Sequence, residues 1–340
     1  MFIIEDYSLA VVFCIITMLC WGSWGNTQKL AGKTWRYELF YWDYVIGIVL
    51  LSFIFAFTLG SNGSAGRPFL EDLAQADTNN IVSAFIGGVV FNAANILLST
   101  AIAIAGMSVA FPVGIGIALV LGVIINYVGS AKGNPGLLFA GVAMITAAII
   151  INSIAYKRAS AGEQKVSSKG LTVSIIAGVL MSFFYRFIAS AMDLDNFADP
   201  AAGLMTPYTA VVIFSLGIFV SNFVFNTILF KKPISGEPTS YSAYFAGSFS
   251  THLVGILGGL IWGVGNSFNL IAAGKAGAAV SYGLGQGATL VAALWGVFVW
   301  KEFRNKQSEV LPAGKQVSGL LTVMFILFLA GIISIIYAGQ

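Results

Sequence analysis

Charge is what this sequence has least of. Asp, Glu, Lys and Arg make up 9% of its 340 residues, where an ordinary globular chain carries about 25%. A soluble core is thereby excluded, and with a net charge of only +3 no nucleic-acid partner is expected. Cysteine is nearly absent. Cys14 and Cys20 lie six apart in one apolar stretch and suit small packing roles, so no disulfide or metal framework is expected. A single histidine, His252, leaves no nucleophile–base or metal constellation, and the chain is expected to be neither an enzyme nor a cofactor binder. The residues Met1–Ser8 are acidic rather than basic, so no cleavable signal is expected.

Apolar sequence fills the space that charge leaves. Hydrophobic residues reach 58%, the mean hydropathy is +0.88, and stretches of about 20 apolar residues, enough to cross a bilayer as a helix, recur. Ten such spans are expected, near 8–28, 37–60, 80–104, 107–128, 136–156, 170–190, 206–230, 250–273, 276–300 and 316–338. The stretch from Gly87 to Val120 aligns without a gap on Gly258 to Val291, an offset of 171, with Asn95 and five glycines matched. The chain therefore reads as a duplication, with 1–160 and 161–340 as two five-helix repeats forming one transport domain. An odd number of spans per repeat inverts the second relative to the first, an arrangement that in secondary transporters puts the substrate near mid-membrane at the repeat interface.

Orientation follows from the few cations. The connections after odd-numbered spans hold 13 Lys and Arg, and the remaining connections with both termini hold 3. The positive-inside rule then puts both termini outside the cytoplasm, in a multi-pass protein of the cell (inner) membrane.

Candidate site residues cluster where polarity interrupts these spans. Trp21, Trp24 and Asn26 in the first span serve either an interfacial aromatic belt or a ligand that small Gly22, Ser23 and Gly25 allow to approach. Asp43 lies five residues past Glu38 in the second span. A carboxylate at that depth is costly and marks function by default, and Asp43 is the candidate proton-coupling group; an ion pair with Lys29 or Lys33 is its bland alternative. Glu38 reads as a solvated end residue. Asn92 and Asn95 share a helix face, as do Asn266 and Asn269 in the eighth span, and serve either as interhelical glue or as substrate ligands. Tyr185 precedes Arg186, a cation inside the sixth span that could meet Asp193 or Asp195 at the surface. His252 reads as a surface residue near a helix end. In the ninth span, Tyr282 and Gln286 sit among glycines, and Gln286 stands where the first repeat has Ile115.

The CWGSW run from Cys20, the Trp42–Tyr44 triplet, and Gly88 to Asn95 followed by the Gly106 turn resemble the drug/metabolite transporter superfamily, in its ureide permease branch and the related bacterial glucose-ribose (sugar) porters. The resemblance covers essentially the whole chain. It implies a ten-helix inverted-repeat fold and proton-symport uptake of a small neutral polar solute, sugar or ureide-like. The plant members' long central loop is missing here at 157–170. The alternative is a drug or metabolite exporter of the same superfamily, which calls for a membrane-embedded Glu at the cavity centre. The first, third, fourth, sixth, eighth and ninth spans have none.

Overall fold

Within a bilayer each backbone N–H and C=O must find its partner inside the protein, and a helix meets that demand within its own segment. A computed structural model describes residues 1–32, 35–105, 107–159, 167–300 and 313–340. Lys33, the Gly106 turn, the inter-repeat link at 160–166 and the basic stretch 301–312 lie outside the described residues.

The described chain is all-α, apart from an isolated bridge between Met192 and Met205. The first half runs α1 (Tyr7–Ser23), α2 (Gly25–Leu30), α3 (Tyr37–Phe57), α4 (Phe69–Gln75), α5 (Thr78–Ala105), α6 (Met107–Gly129) and α7 (Pro135–Ala159). The second runs α8 (Ser168–Ala189), α9 (Pro207–Lys231), α10 (Tyr241–Phe245), α11 (Phe249–Ala276), α12 (Ala278–Gly285), α13 (Ala288–Leu294), a π-helical turn (Trp295–Val299) and α14 (Ala313–Ala338).

Among the described residues nine helices are long and apolar enough to cross a membrane, with α1 and α2 counted as one. The ninth expected span forms a shorter apolar helical stretch, Ala278–Leu294, with a turn at Gln286 and Gly287 between α12 and α13, in a run where Gly283, Gly285 and Gly287 weaken helix propensity. The polar loop expected between the second and third spans carries α4, and the corresponding loop of the second half carries α10.

Packing follows the same order twice. α3 lies along α11 as α5 lies along α9; α5 packs on α8 as α11 packs on α1; α7 and α14 pair with each other. The tightest crossings use glycine. A Cβ added at Gly88 would run into the Phe214 carbonyl beside Gly217, and one at Gly259 would run into the Tyr44 carbonyl beside Gly47. Gly88 and Gly259 are 171 apart, but Gly47 and Gly217 are 170 apart, so α3 and α9 are related by one residue less than expected. Both termini reach the same face: the Met1 ammonium donates to the Ala65 carbonyl, and Tyr7, at the start of α1, donates to the Ile336 carbonyl near the end of α14.

Candidate functional site

The turn between α1 and α2 and the turn between α12 and α13 lie on one cavity. Trp24 sits at the α1–α2 break and Gln286 at the α12–α13 break, and both line a cavity of about 30 Å³. Six aromatic side chains form half of the lining: Trp21, Trp24, Phe91, Phe111, Phe184 and Trp262. Leu98, Ile115, Met181 and Ala288 fill the gaps. Asn95 and Gln286 are its polar side chains, apart from the indole N–H groups, and among the described residues no charged group lines it.

Ring geometry fixes the walls. Trp21 stacks on Trp262 at 6.0 Å and 9°, Phe91 lies 4.3 Å from Trp262, and Trp24 is 4.7 Å from Tyr44. Gly285 makes room for Trp21, since a Cβ there would meet the indole Cζ3 at 2.8 Å. Asn95 donates to the Tyr41 hydroxyl at 3.3 Å. Among the described residues Trp21 Nε1, Ser99 Oγ one turn beyond Asn95 and Asn266 Oδ1 one turn beyond Trp262 are buried without a protein partner. Each such group forfeits about 1–3 kcal/mol if nothing bonds to it. At about 30 Å³ the cavity has room for about two waters.

The other residues that the sequence singles out lie around this cavity and tie helices together, a placement that separates them from its lining. Asn26 accepts from Trp300 Nε1 at 2.6 Å and donates to the Ser23 carbonyl. Asn92 donates to Ser221 Oγ at 2.9 Å, joining α5 to α9. Tyr185 meets Ser281 at 2.9 Å, and Asn269 donates to the Ser281 carbonyl at 2.8 Å. Tyr282 donates to the Ala118 carbonyl at 3.1 Å. Phe91, Phe111, Phe184 and Trp262 escape notice in the sequence, where single aromatic residues in apolar spans look like packing.

A larger groove of about 720 Å³ runs between α6 and α7. Its hydroxyls are spent, Thr146 on the Val142 carbonyl and Ser153 on the Ile149 carbonyl. The rest of its lining, from Pro112 to Ile154, is aliphatic, so it offers a polar solute nothing.

Several charged or titratable groups are placed otherwise than expected. Asp43 is 1% exposed, and its Oδ1 accepts from the Tyr244 hydroxyl at 2.6 Å and meets His252 Nδ1 at 2.8 Å; Oδ2 has no protein partner. His252 is thus no free surface group, because α10 and the start of α11 fold it over α3. Burial first, and then the hydrogen bond and charge of Asp43, push the Tyr244 phenol well above its ordinary value, so it remains a donor. Glu38 is fully buried rather than solvated, held by Arg36 at 2.6 Å. Arg186 lies against Gly129. Asp193 does not pair with it, because its carboxylate accepts backbone N–H groups of its own loop, from Asp195, Asn196 and Ala201.

Comparison with known proteins agrees on one family. Residues 40–169 and 156–338 each match the ureide permease family. Ureide permease 2 of Arabidopsis thaliana is 25% identical, with 91% of this chain and 93% of that protein aligned. Ureide permease 1 of the same plant is 24% identical over 98% and 97%, and probable ureide permease A3 of Vigna unguiculata is 24% identical over 90% and 99%. A protein of known crystal structure superposes with a TM-score of 0.61 at 14% identity, over 98% of this chain and 99% of that one, which shows a shared fold.

Proposed function

The chain belongs to the ureide permease family, multi-pass membrane transporters and not enzymes, and from that premise we propose that it takes up a small neutral ureide-like solute by proton symport. The observation that carries the reading is the lining of the central cavity: indole and phenyl walls, two carboxamides and no charge among the described residues. A carboxamide edge presents one C=O acceptor beside one N–H donor. That edge is complementary to the N–H and C=O of a urea or cyclic ureide, and the planar faces of such a solute stack on Trp21, Trp24 and Trp262. Burying the solute's polar groups is tolerable where each meets a partner, and the buried indole N–H of Trp21, which lines the cavity, is left open by the protein.

The two halves, 1–160 and 161–340, move against one another in this reading, and the solute enters when they part. Asn95, Gln286, Trp21 and Trp24 touch it. Asn26, Asn92, Tyr185, Asn266, Asn269 and Tyr282 position the helices that carry those contacts. Asp43 couples transport to the proton gradient. The test is binding to purified protein in lipid nanodiscs, followed by the fluorescence of the cavity tryptophans. A ureide of the allantoin type should change the emission saturably, and the change should be lost in Gln286→Ala. A hexose that binds while ureides do not would refute the substrate class.

A further inference from the structure

We propose that Asp43 and His252 form a proton-sensitive latch that controls opening on the face where α10 lies, while a proton-insensitive latch holds the opposite face. The proposal deepens the transport reading, on which it rests, by naming the side of the molecule on which the proton acts.

Two short helices carry the argument. α4 begins at Phe69 and α10 at Tyr241, so each sits in the loop after the second span of its half, and each reaches across to the other half. α4 secures the start of α9. Asp72 Oδ2 accepts from Thr206 N at 2.8 Å, and Arg67 bonds Asp72 Oδ1 at 3.0 Å and the carbonyls of Pro200, Ala201 and Leu204. α10 secures the first turns of α3, through Tyr244 on Asp43, while Tyr241 holds Thr227 of α9 at 2.5 Å. α3 and α9 therefore start at opposite faces, and each start is held by the other half's short helix.

The chemistry of the two latches differs. A guanidinium carries a fixed positive charge, and both oxygens of Asp72 are occupied by donors, so the α4 latch is a compensated ion pair with no open carboxylate oxygen. The α10 latch has an imidazole, the side-chain type that serves as a proton switch in proteins. His252 is 22% exposed by side chain, whereas Asp43 is 1% exposed, so water reaches the imidazole while the carboxylate stays shielded. With His252 neutral, the pair carries one net negative charge. One added proton on Nε2 gives an imidazolium–carboxylate pair with no net charge, and the Nδ1–H donation to Oδ1 is kept. A buried net charge is costly and a compensated one much less so. The protonated pair therefore favours the closed face, and the deprotonated pair favours opening, which hydrates the partnerless Oδ2.

Among the described residues, other titratable or charged groups around the pair do not replace it. From α10 comes the phenol of Tyr244, which stays protonated. On α3, Glu38 is occupied by Arg36. From α11, Gly255 abuts the Asp43 side chain without charge. Lys231 and Lys232, at the end of α9 on this same face, are exposed to solvent, and Trp35 packs edge-on against the His252 ring at 5.1 Å.

The experiment measures distances by double electron–electron resonance in the full-length protein in nanodiscs, without solute, after Cys14 and Cys20 are replaced by Ser. Spin labels on Leu30→Cys and Phe245→Cys report the α10 face; labels on Leu70→Cys and Asp195→Cys report the α4 face. Raising pH from about 5.5 to about 8.5, across the imidazole range, should shift the first pair to longer distances and leave the second unchanged. The shift should vanish in both His252→Gln and Asp43→Asn. Because no solute is present, a mistaken substrate assignment leaves this result intact. An α10-face distance that ignores pH in the otherwise unsubstituted protein overturns the proposal, as does a pH shift that survives both substitutions.

Discussion

Gln286 and Ile115 occupy equivalent positions of the two repeats and both line the cavity, so one wall can hydrogen-bond where its counterpart only packs. Asn95 lines it too, whereas its counterpart Asn266 does not, which leaves the polar groups asymmetrically placed, as an unsymmetrical ligand requires. Replacing Asn95 or Gln286 by Ala should weaken apparent affinity by about tenfold or more, since a lost buried hydrogen bond costs about 1–3 kcal/mol. Transport titrations set against membrane abundance check this; abundance falling in step with transport would make the two amides structural. Trp21, Trp24, Asn95 and Gln286 are legible in the sequence because polar or indole groups beside small residues stand out in an apolar span. The aromatic walls are not, although Phe91 aligns with Trp262, and Phe111 with Tyr282, in the same repeat that exposes Asn95. A ring matched by a ring between the halves is the available signal. His252 is misjudged from sequence because its partner lies 209 residues away on α3, and neither one-dimensional spacing nor charge count reports such a pairing.

Helix crossings rest on backbone contact at glycine. At Gly259 even one methyl group meets the Tyr44 carbonyl, and α3 and α11 must separate to accept it. Gly259→Ala should therefore lower the melting temperature, by overpacking that costs about 1–3 kcal/mol. Gly319→Ala in α14, with nothing within 4 Å of the added carbon, should leave it unchanged or slightly raised. Thermal denaturation of the two purified variants makes the comparison, and equal melting temperatures would contradict the close-crossing account. Spans and their order are readable at this scale, because length and hydropathy are local properties. The break at Gln286 is not, since glycine-rich apolar sequence also packs as continuous helix in membranes. α4 and α10 also escape: helices of seven and five residues hold their shape through tertiary contacts and leave little periodic trace.

For the molecule as a whole, the termini share one face, and the distribution of Lys and Arg predicts that this face is external. A periplasmic-type reporter fused after Gln340 should be active and a cytoplasmic one inactive; the reverse would invert the sidedness of both latches. Coupling belongs to this scale too. Asp43→Asn removes the negative charge while keeping size and hydrogen bonding, so it should abolish accumulation against a gradient yet leave counterflow exchange measurable. Protonophore-sensitive accumulation persisting in Asp43→Asn would remove Asp43 from the coupling path. The central claim, proton-driven uptake of a ureide through the cavity between the halves, is tested most directly in proteoliposomes containing only this protein. Radiolabelled allantoin-type ureide is supplied outside, under an imposed acid-outside gradient, with the same vesicles treated with protonophore and with Gln286→Ala vesicles alongside. The account predicts accumulation above equilibrium in the untreated vesicles, collapse to equilibrium with protonophore, and strongly reduced uptake by the variant. Equilibration unaffected by the gradient, or accumulation undiminished in Gln286→Ala, would contradict it.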